Sequence, residues 1–141
     1  MVVDMFEVPT KVDYGLLILA ELAKAWPDNF VSLAEIAQQK HVSSKYLSQV
    51  VIPLHKAGLV ISKEGKFGGY ALAKVPESIS VREVVEAVDG PLQIVRCMTA
   101  DKDCPAQHHC TTQPIWHTLK NDIYQLLAEK SLADITHTHQ N

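Results

Sequence analysis

The sequence lacks the features of an exported or membrane-spanning chain. None of its apolar stretches reaches the ~18 residues that cross a bilayer, and no basic segment precedes an apolar one at the N-terminus, as it would in a secretion signal. We therefore expect a cytoplasmic protein with no membrane partner. The three cysteines are an odd number and cannot all pair in a disulfide framework. In a reducing compartment, clustered thiols more often bind metal or carry out redox chemistry.

Signatures of catalysis are missing as well. The sequence shows no nucleophile–base pair and no motif with paired carboxylates. The Gly-rich segment 65–69 matches neither the dinucleotide-binding pattern nor the P-loop, and it precedes a predicted strand where those patterns precede a helix. The sequence thus predicts a protein that is not an enzyme.

The composition is that of one globular domain with an uneven distribution of charge. The 141 residues are 47% apolar and carry a net charge of −3. Between His41 and Lys74 there are five lysines and one glutamate, so this segment has a charge of +4 and the remainder −7. A basic segment within an acidic protein indicates an anionic partner for that segment alone.

The basic segment has the pattern of a winged helix-turn-helix. Capping residues open two short helices in succession, and two short strands around the Gly-rich turn predict a β-hairpin, the wing. The exposed start of the second helix presents hydroxyl, amide and ammonium groups that can reach base edges in a major groove, and the wing offers lysines for phosphate. The candidate DNA-binding residues are Ser43, Ser44, Lys45, Ser48, Gln49, Lys63 and Lys66.

All three cysteines lie in one polar segment. Cys97, Cys104 and Cys110 are separated by six and five residues, which differs from the paired C-x-x-C spacing of a small zinc knuckle and suits an iron–sulfur cluster held by thiolates. A structural zinc ion is the alternative. Three thiolates leave a four-iron cluster one ligand short, so another residue must complete the site. The candidates nearby in sequence are Asp103, His108, His109 and His117, and a residue from elsewhere in the fold is also possible.

Two further helices complete the expected fold, which is mainly α with a small β-hairpin. Thr10 begins the first helical pattern, where Asp13 forms an imperfect capping box. A long amphipathic helix begins near Thr112, and its apolar stripe predicts a dimer interface. The stripe residues are Ile115, Leu119, Ile123 and Leu126. The expected organisation is a winged helix over 6–75, a helix, cysteine loop and dimerisation helix over 76–135, and a disordered tail over 136–141.

Taken together, these segments resemble the Rrf-two family of bacterial winged-helix transcription regulators. The matching stretches are TKVDYG at 10–15, VSSKYLSQ at 42–49, KAGLV at 56–60, GKFGGYALA at 65–73, SVREVV at 80–85 and SLADI at 131–135, together with the cysteine loop. The resemblance implies a homodimeric regulator, acting as a repressor, that binds a pseudo-palindromic site in double-stranded DNA. It also implies sensing of iron–sulfur status, redox state or nitric oxide through an iron–sulfur cluster, with 4Fe-4S favoured over 2Fe-2S.

The resemblance also implies a set of cluster ligands. Members that bind a cluster use three loop cysteines, which correspond here to Cys97, Cys104 and Cys110. In IscR-like members the fourth ligand is a His three residues after the last Cys, a position held here by Gln113. In NsrR-like members it is an Asp before the Tyr of the first helix, and Asp13 matches that position. The alternative role for Asp13 is that of a capping carboxylate.

The wing departs from the family pattern. The family's base-reading positions fall on Lys45, Ser48 and Gln49, but its wing normally carries Arg-Gly, and Glu64 replaces that Arg here. Lys63 and Lys66 would then supply the phosphate contacts. Two rival functions remain open: a zinc- or thiol-based winged-helix regulator without a cluster, and an iron–sulfur carrier or assembly protein, which would need no basic winged helix.

Overall fold

The fold is mainly helical with one antiparallel hairpin, as the sequence predicts. The computed structural model describes residues 7–92 and 111–138. In chain order these residues form α1 (Thr10–Lys24), α2 (Leu33–Lys40), α3 (Ser44–Lys56), β1 (Val60–Lys63), β2 (Gly69–Leu72), a short 3-10 helix (Pro76–Ser78), α4 (Val81–Asp89), α5 (Gln113–Glu129) and α6 (Leu132–Thr138).

Side-chain caps set the starts of α2 and α3. Ser32 Oγ accepts a hydrogen bond from the Glu35 N–H at 3.1 Å, and Ser43 Oγ accepts one from the Tyr46 N–H at 3.3 Å. Each cap satisfies one of the backbone donors that a helix leaves unpaired at its start. Between the two helices, His41 adopts the left-handed conformation with φ 57°, which ends α2 and reverses the chain. The helix-turn-helix geometry therefore follows from local signals.

The wing is attached to the helices by a third extended segment. Its strands pair in register from Val60 opposite Leu72 to Lys63 opposite Gly69. Val31, just before α2, exchanges two backbone hydrogen bonds of 2.8 Å with Tyr70. A Cβ atom at Gly69 would lie 2.4 Å from the Val31 oxygen, so only glycine permits this approach. The position of the wing relative to α2 is thus fixed by the backbone.

Helix α1 lies at the centre of the hydrophobic core. Val12, Ile18, Leu19 and Leu22 are at most 1% exposed, and α1 packs against α3, α4, α6 and β2. The Leu- and Ala-rich sequence of this helix predicts burial on more than one face. The fully buried residues instead recur at spacings of three and four and form one face, while Leu16, Leu17 and Ala20 are half-buried and line an open cavity. Each fully buried Leu or Ile side chain contributes about 1.5–3 kcal/mol to folding.

The C-terminal end differs from the expected disordered tail. Residues 136–138 are helical and complete α6. Leu132 is fully buried and Ile135 packs against the core, while Thr136 Oγ1 donates a hydrogen bond to the Ala133 carbonyl at 2.9 Å. Packing on α1 therefore stabilises a helix that is too short to be stable alone. Residues 139–141 lie outside the described part of the chain, and the domain limits remain a prediction.

Glu21 connects α1 to α2 electrostatically. Its carboxylate accepts hydrogen bonds from Lys24 Nζ at 2.9 Å and from Lys40 Nζ, at the end of α2, at 3.1 Å. Its side chain is 12% exposed. Burial acts to raise the pKa of Glu21, but the hydrogen bonds and charges of the two lysines outweigh it, so the pKa lies below its ordinary value.

Replacing Glu21 with Gln is expected to lower the free energy of unfolding by about 1 kcal/mol at neutral pH, because two charge-assisted hydrogen bonds weaken. The pKa is lower in the folded than in the unfolded state, so this contribution is present above the ordinary carboxyl pKa. It is lost as the pH falls through the lowered value. The stabilities of the wild type and Glu21→Gln should therefore converge as the pH falls. Urea unfolding of both proteins at a series of acidic pH values measures this. The exposed Glu64→Gln variant is the control, and a Glu21→Gln deficit that does not change with pH would contradict this account.

Candidate nucleic-acid interface

Helix α3 has one buried face and one polar face. Leu47, Val50, Val51 and Leu54 are at most 4% exposed and pack into the core. Lys45, Ser48 and Gln49 are exposed. The spacing of three and four residues places these three on one side of the helix. The structure thus brings the predicted base-reading residues onto a single accessible surface.

The polar face has unused hydrogen-bonding capacity. Ser48 Oγ donates to the Ser44 carbonyl at 2.8 Å and keeps lone pairs that can accept from a ligand. Ser43 Oγ accepts the capping bond from the Tyr46 N–H and keeps its own hydrogen to donate. Within 7–92 and 111–138, the side chains of Lys45 and Gln49 have no hydrogen-bond or ion-pair partner. The positive end of the α3 dipole lies at the same residues and favours an anion.

The two wing lysines lie beside aromatic rings. Lys63 Nζ is 5.6 Å from the centroid of the Phe30 ring, and Lys66 Nζ is 5.7 Å from that of Phe67. Neither ammonium forms an ion pair with a carboxylate in the described part of the chain, although Glu64 lies between them in sequence. Their charge is therefore available to phosphate. Phe30 and Phe67 were not among the predicted site residues, and an aromatic residue in a basic Gly-rich turn is the signal that could have indicated Phe67.

The geometry agrees with the comparisons to known proteins. The family model Rrf2, described as an iron-dependent transcriptional regulator, matches residues 8–138. The chain belongs to the Rrf2 family. It is 33% identical over 129 residues to the HTH-type transcriptional regulator CymR of Bacillus subtilis, covering 92% of this chain and 88% of that protein.

Solved structures of the Rrf2 family show the same fold. The structure of CymR, the global cysteine regulator of B. subtilis, matches with a TM-score of 0.76 and 32% identity over 94% of this chain and 98% of that one. The structure of T. potens IscR matches with a TM-score of 0.76 and 32% identity, and the match covers 95% of this chain and 88% of that one. The expected family, the winged helix and a role in transcription regulation are thus confirmed. The winged helix is the DNA-binding unit of such a regulator.

Asp13 lies in the first turn of α1 and is exposed. The expected capping box is wrong, because Pro9 holds the N-cap position and no side chain caps this helix. Thr10 is instead the first helical residue, and the Asp13 N–H donates to the Pro9 carbonyl at 3.3 Å. Among the described residues, the Asp13 carboxylate has no hydrogen-bond or ion-pair partner.

The other candidate cluster ligands fall mostly outside the described residues. This applies to Cys97, Cys104, Cys110, Asp103, His108 and His109. His117 is exposed on α5. Within 7–92 and 111–138, no group of three or more His, Cys, Asp or Glu side chains could hold a metal ion.

Helix α5 has an apolar stripe that the described residues leave largely exposed. None of its residues is buried; Ile115, Leu119 and Leu126 are 57%, 39% and 61% exposed, and Ile123 is half-buried. The helix contacts α4, where the Arg82 guanidinium lies 4.4 Å from the centroid of the Tyr124 ring. Within the described ranges, no helix is long and apolar enough to cross a membrane.

The predicted docking distinguishes two classes of DNA contact. On a duplex selected by the full-length protein from a randomised pool, Gln49→Ala is expected to cost about 1–3 kcal/mol at one base pair and to relax specificity there. Lys63→Ala and Lys66→Ala should weaken binding to all sequences and make it less dependent on salt, because each lysine releases counterions from a phosphate. Titrations at several salt concentrations measure both effects. Lys130→Ala, between α5 and α6, is the matched control, and equal salt slopes in all variants would contradict this docking.

Proposed function

We propose that this regulator is a homodimeric repressor that senses iron–sulfur status, redox state or nitric oxide. The cofactor is an iron–sulfur cluster, of the 4Fe-4S type, held by Cys97, Cys104, Cys110 and Asp13. The observation that carries the proposal is the exposed Asp13 carboxylate, which neither caps α1 nor pairs with a cation among the described residues. Because no hydrogen bond or ion pair among the described residues holds this carboxylate, it is available as a ligand.

The surroundings of Asp13 suit an exchangeable ligand. With Tyr14, Leu16 and Leu17 it lines an open cavity of about 410 Å³ whose other wall includes Ile135. A carboxylate matches cluster iron less well than a thiolate does, so a site completed by Asp13 would exchange that ligand more readily than one with four thiolates. When bound, the cluster supplies iron that changes redox state and reacts with oxidants or nitric oxide. The three cysteines would hold the cluster, and Asp13 would connect it to α1.

Helix α1, which begins beside Asp13, contacts both helices of the helix-turn-helix. Tyr14 follows Asp13, and its ring packs edge-on against the ring of Tyr46 on α3, with centroids 5.1 Å apart. Two turns further along α1, Glu21 binds Lys40 at the end of α2. A shift at the start of α1 would therefore act on both helices of the helix-turn-helix. Loss or reaction of the cluster would then change the spacing of the two winged helices of the dimer.

Helix α5 supports the homodimer. A 17-residue helix without a buried residue gains little from its own subunit. The stripe of Ile115, Leu119, Ile123 and Leu126 would be covered by a second copy of the chain. Such a symmetric dimer presents two α3 helices to two half-sites, which is the geometry that a pseudo-palindromic DNA site requires.

The likeness to CymR favours a second candidate. That relative is described as a global cysteine regulator, whereas the family model is described as iron-dependent. In the second candidate, the three cysteines act as free thiols or hold zinc, and no cluster forms. Anaerobically purified protein would then be colourless, without the brown colour, iron and sulfide of a cluster protein. Membership of a family of transcription regulators argues against the third candidate, an iron–sulfur carrier.

A role of Asp13 as a cluster ligand can be distinguished from a contribution to folding stability. Asp13→Ala is expected to lower the stability of the apo-protein by less than about 1 kcal/mol, because the carboxylate has no hydrogen-bond or ion-pair partner among the described residues and the variant loses only its interaction with the α1 dipole. It should nevertheless lower the iron and sulfide retained per chain. Asp13→Cys should retain a less reactive cluster, since thiolate is the better ligand. Iron and sulfide assays after anaerobic purification measure this.

Two controls complete that experiment. Serine in place of any one of the three cysteines should abolish or greatly weaken cluster binding. His117→Ala should leave it intact, because the family resemblance places the fourth ligand at Asp13 and none at position 117. If His117→Ala loses the cluster while Asp13→Ala keeps it, Asp13 is not the ligand.

The dimer interface is tested by placing charge on the α5 stripe. Leu119→Glu combined with Leu126→Glu is expected to yield a species with the mass of one 15.6 kDa chain, because two carboxylates cannot be buried unpaired in an apolar interface. Analytical ultracentrifugation gives the mass. Asn121→Glu, on the opposite side of α5, should leave the dimer intact. A double variant that remains dimeric would place the interface elsewhere.

A further inference from the structure

One apolar side chain interrupts the polar face of α3. Ile52 is 61% exposed. The remaining exposed side chains of this helix are all polar: Ser44, Lys45, Ser48, Gln49, His55 and Lys56. Ile52 was not among the residues predicted to contact DNA, because an isoleucine in a helix is ordinarily assigned to the core. Leu47, Val50, Val51 and Leu54 form the buried face, and Ile52 lies outside the hydrophobic core of the described residues.

The position of Ile52 places it within the predicted DNA-reading surface. With 3.6 residues per turn, positions 45, 48, 49, 52 and 56 recur at spacings of three and four and form one stripe. Ile52 lies about 10.5 Å along the helix axis from Lys45, with Gln49 between them. Lysines therefore flank Ile52 at both ends of the stripe, which makes an anionic duplex a better partner for this surface than an apolar protein surface.

The major groove presents one apolar group on its base edges, the C5-methyl group of thymine. A β-branched side chain in a helix has one strongly preferred χ1 rotamer, so Ile52 offers a rigid apolar surface at little entropic cost. We propose that Ile52 contacts the methyl group of a thymine in each half-site and makes α3 selective for thymine at that position. This inference rests on the proposed docking of α3 in the major groove.

Replacement of thymine by deoxyuridine removes this methyl group and leaves every hydrogen-bonding group in place. In a duplex selected by the wild-type protein, each thymine is replaced in turn, symmetrically in both half-sites, and the Kd is measured. Replacement of the one thymine that Ile52 contacts should raise the Kd of the wild type about 4-fold per half-site. This is the change in Kd that corresponds to the burial of one methyl group. Replacement in both half-sites should weaken binding about 16-fold.

Variants of Ile52 assign the effect to this side chain. Ile52→Ala should bind the thymine and deoxyuridine duplexes equally, and Ile52→Val should retain part of the preference. Alanine is a better helix former than isoleucine, so α3 is expected to stay folded, which circular dichroism checks. Ile61→Ala removes a 47% exposed isoleucine on β1 and is the matched control, since it should keep the full preference.

Three outcomes would overturn the inference. If no thymine position is sensitive to deoxyuridine while Gln49→Ala weakens binding, the docking stands and Ile52 does not read a methyl group. If the deoxyuridine effect persists in Ile52→Ala, another residue reads it. If neither Lys45→Ala nor Gln49→Ala affects the affinity, the proposed docking of α3 fails as well.

Discussion

Burial of α1 is the interaction that holds the rest of the subunit in place. Its apolar side chains pack against α3, α4, α6 and β2, and replacing one buried leucine such as Leu19 by alanine would cost about 2–5 kcal/mol. The total stability of a domain is only about 5–15 kcal/mol. Distorting α1 would therefore cost a large part of the stability of the domain, so we expect the helix to move as a rigid unit. A displacement at one of its ends then reaches the elements that it contacts.

This constraint would allow the proposed sensor site and the DNA-binding surface to share one small domain. The exposed first turn of α1 carries Asp13, while the contacts of Tyr14 with Tyr46 and of Glu21 with Lys40 reach the two helices of the helix-turn-helix. Because the wing is bound to the segment before α2 through Val31 and Tyr70, it would move with these helices. In the proposed dimer, a small rotation of each unit changes the distance between two DNA-reading surfaces.

The sequence predicted those parts of the fold that depend on residues close together in the chain. The caps at Ser32 and Ser43 and the Gly-rich turn are set by residues close in sequence, so the winged helix could be recognised. Thr10 was correctly predicted to begin α1. Its capping was not, because Pro9 holds the N-cap position and Thr10 and Asp13 form no capping box. Contacts between distant residues also gave no sequence signal. Tyr14 with Tyr46 is one example, and the packing of Leu132 that stabilises α6 is another.

The central claim is that binding at Asp13 and the cysteines is coupled to DNA binding through α1. The most direct test is the Kd of the wild-type dimer for its selected duplex, measured anaerobically at fixed salt with the cluster reconstituted and after its removal. Coupling between two sites typically changes affinity 5- to 150-fold. We expect a difference of at least about 5-fold between the two forms. Equal affinities of fully loaded and cluster-free dimers would contradict the account.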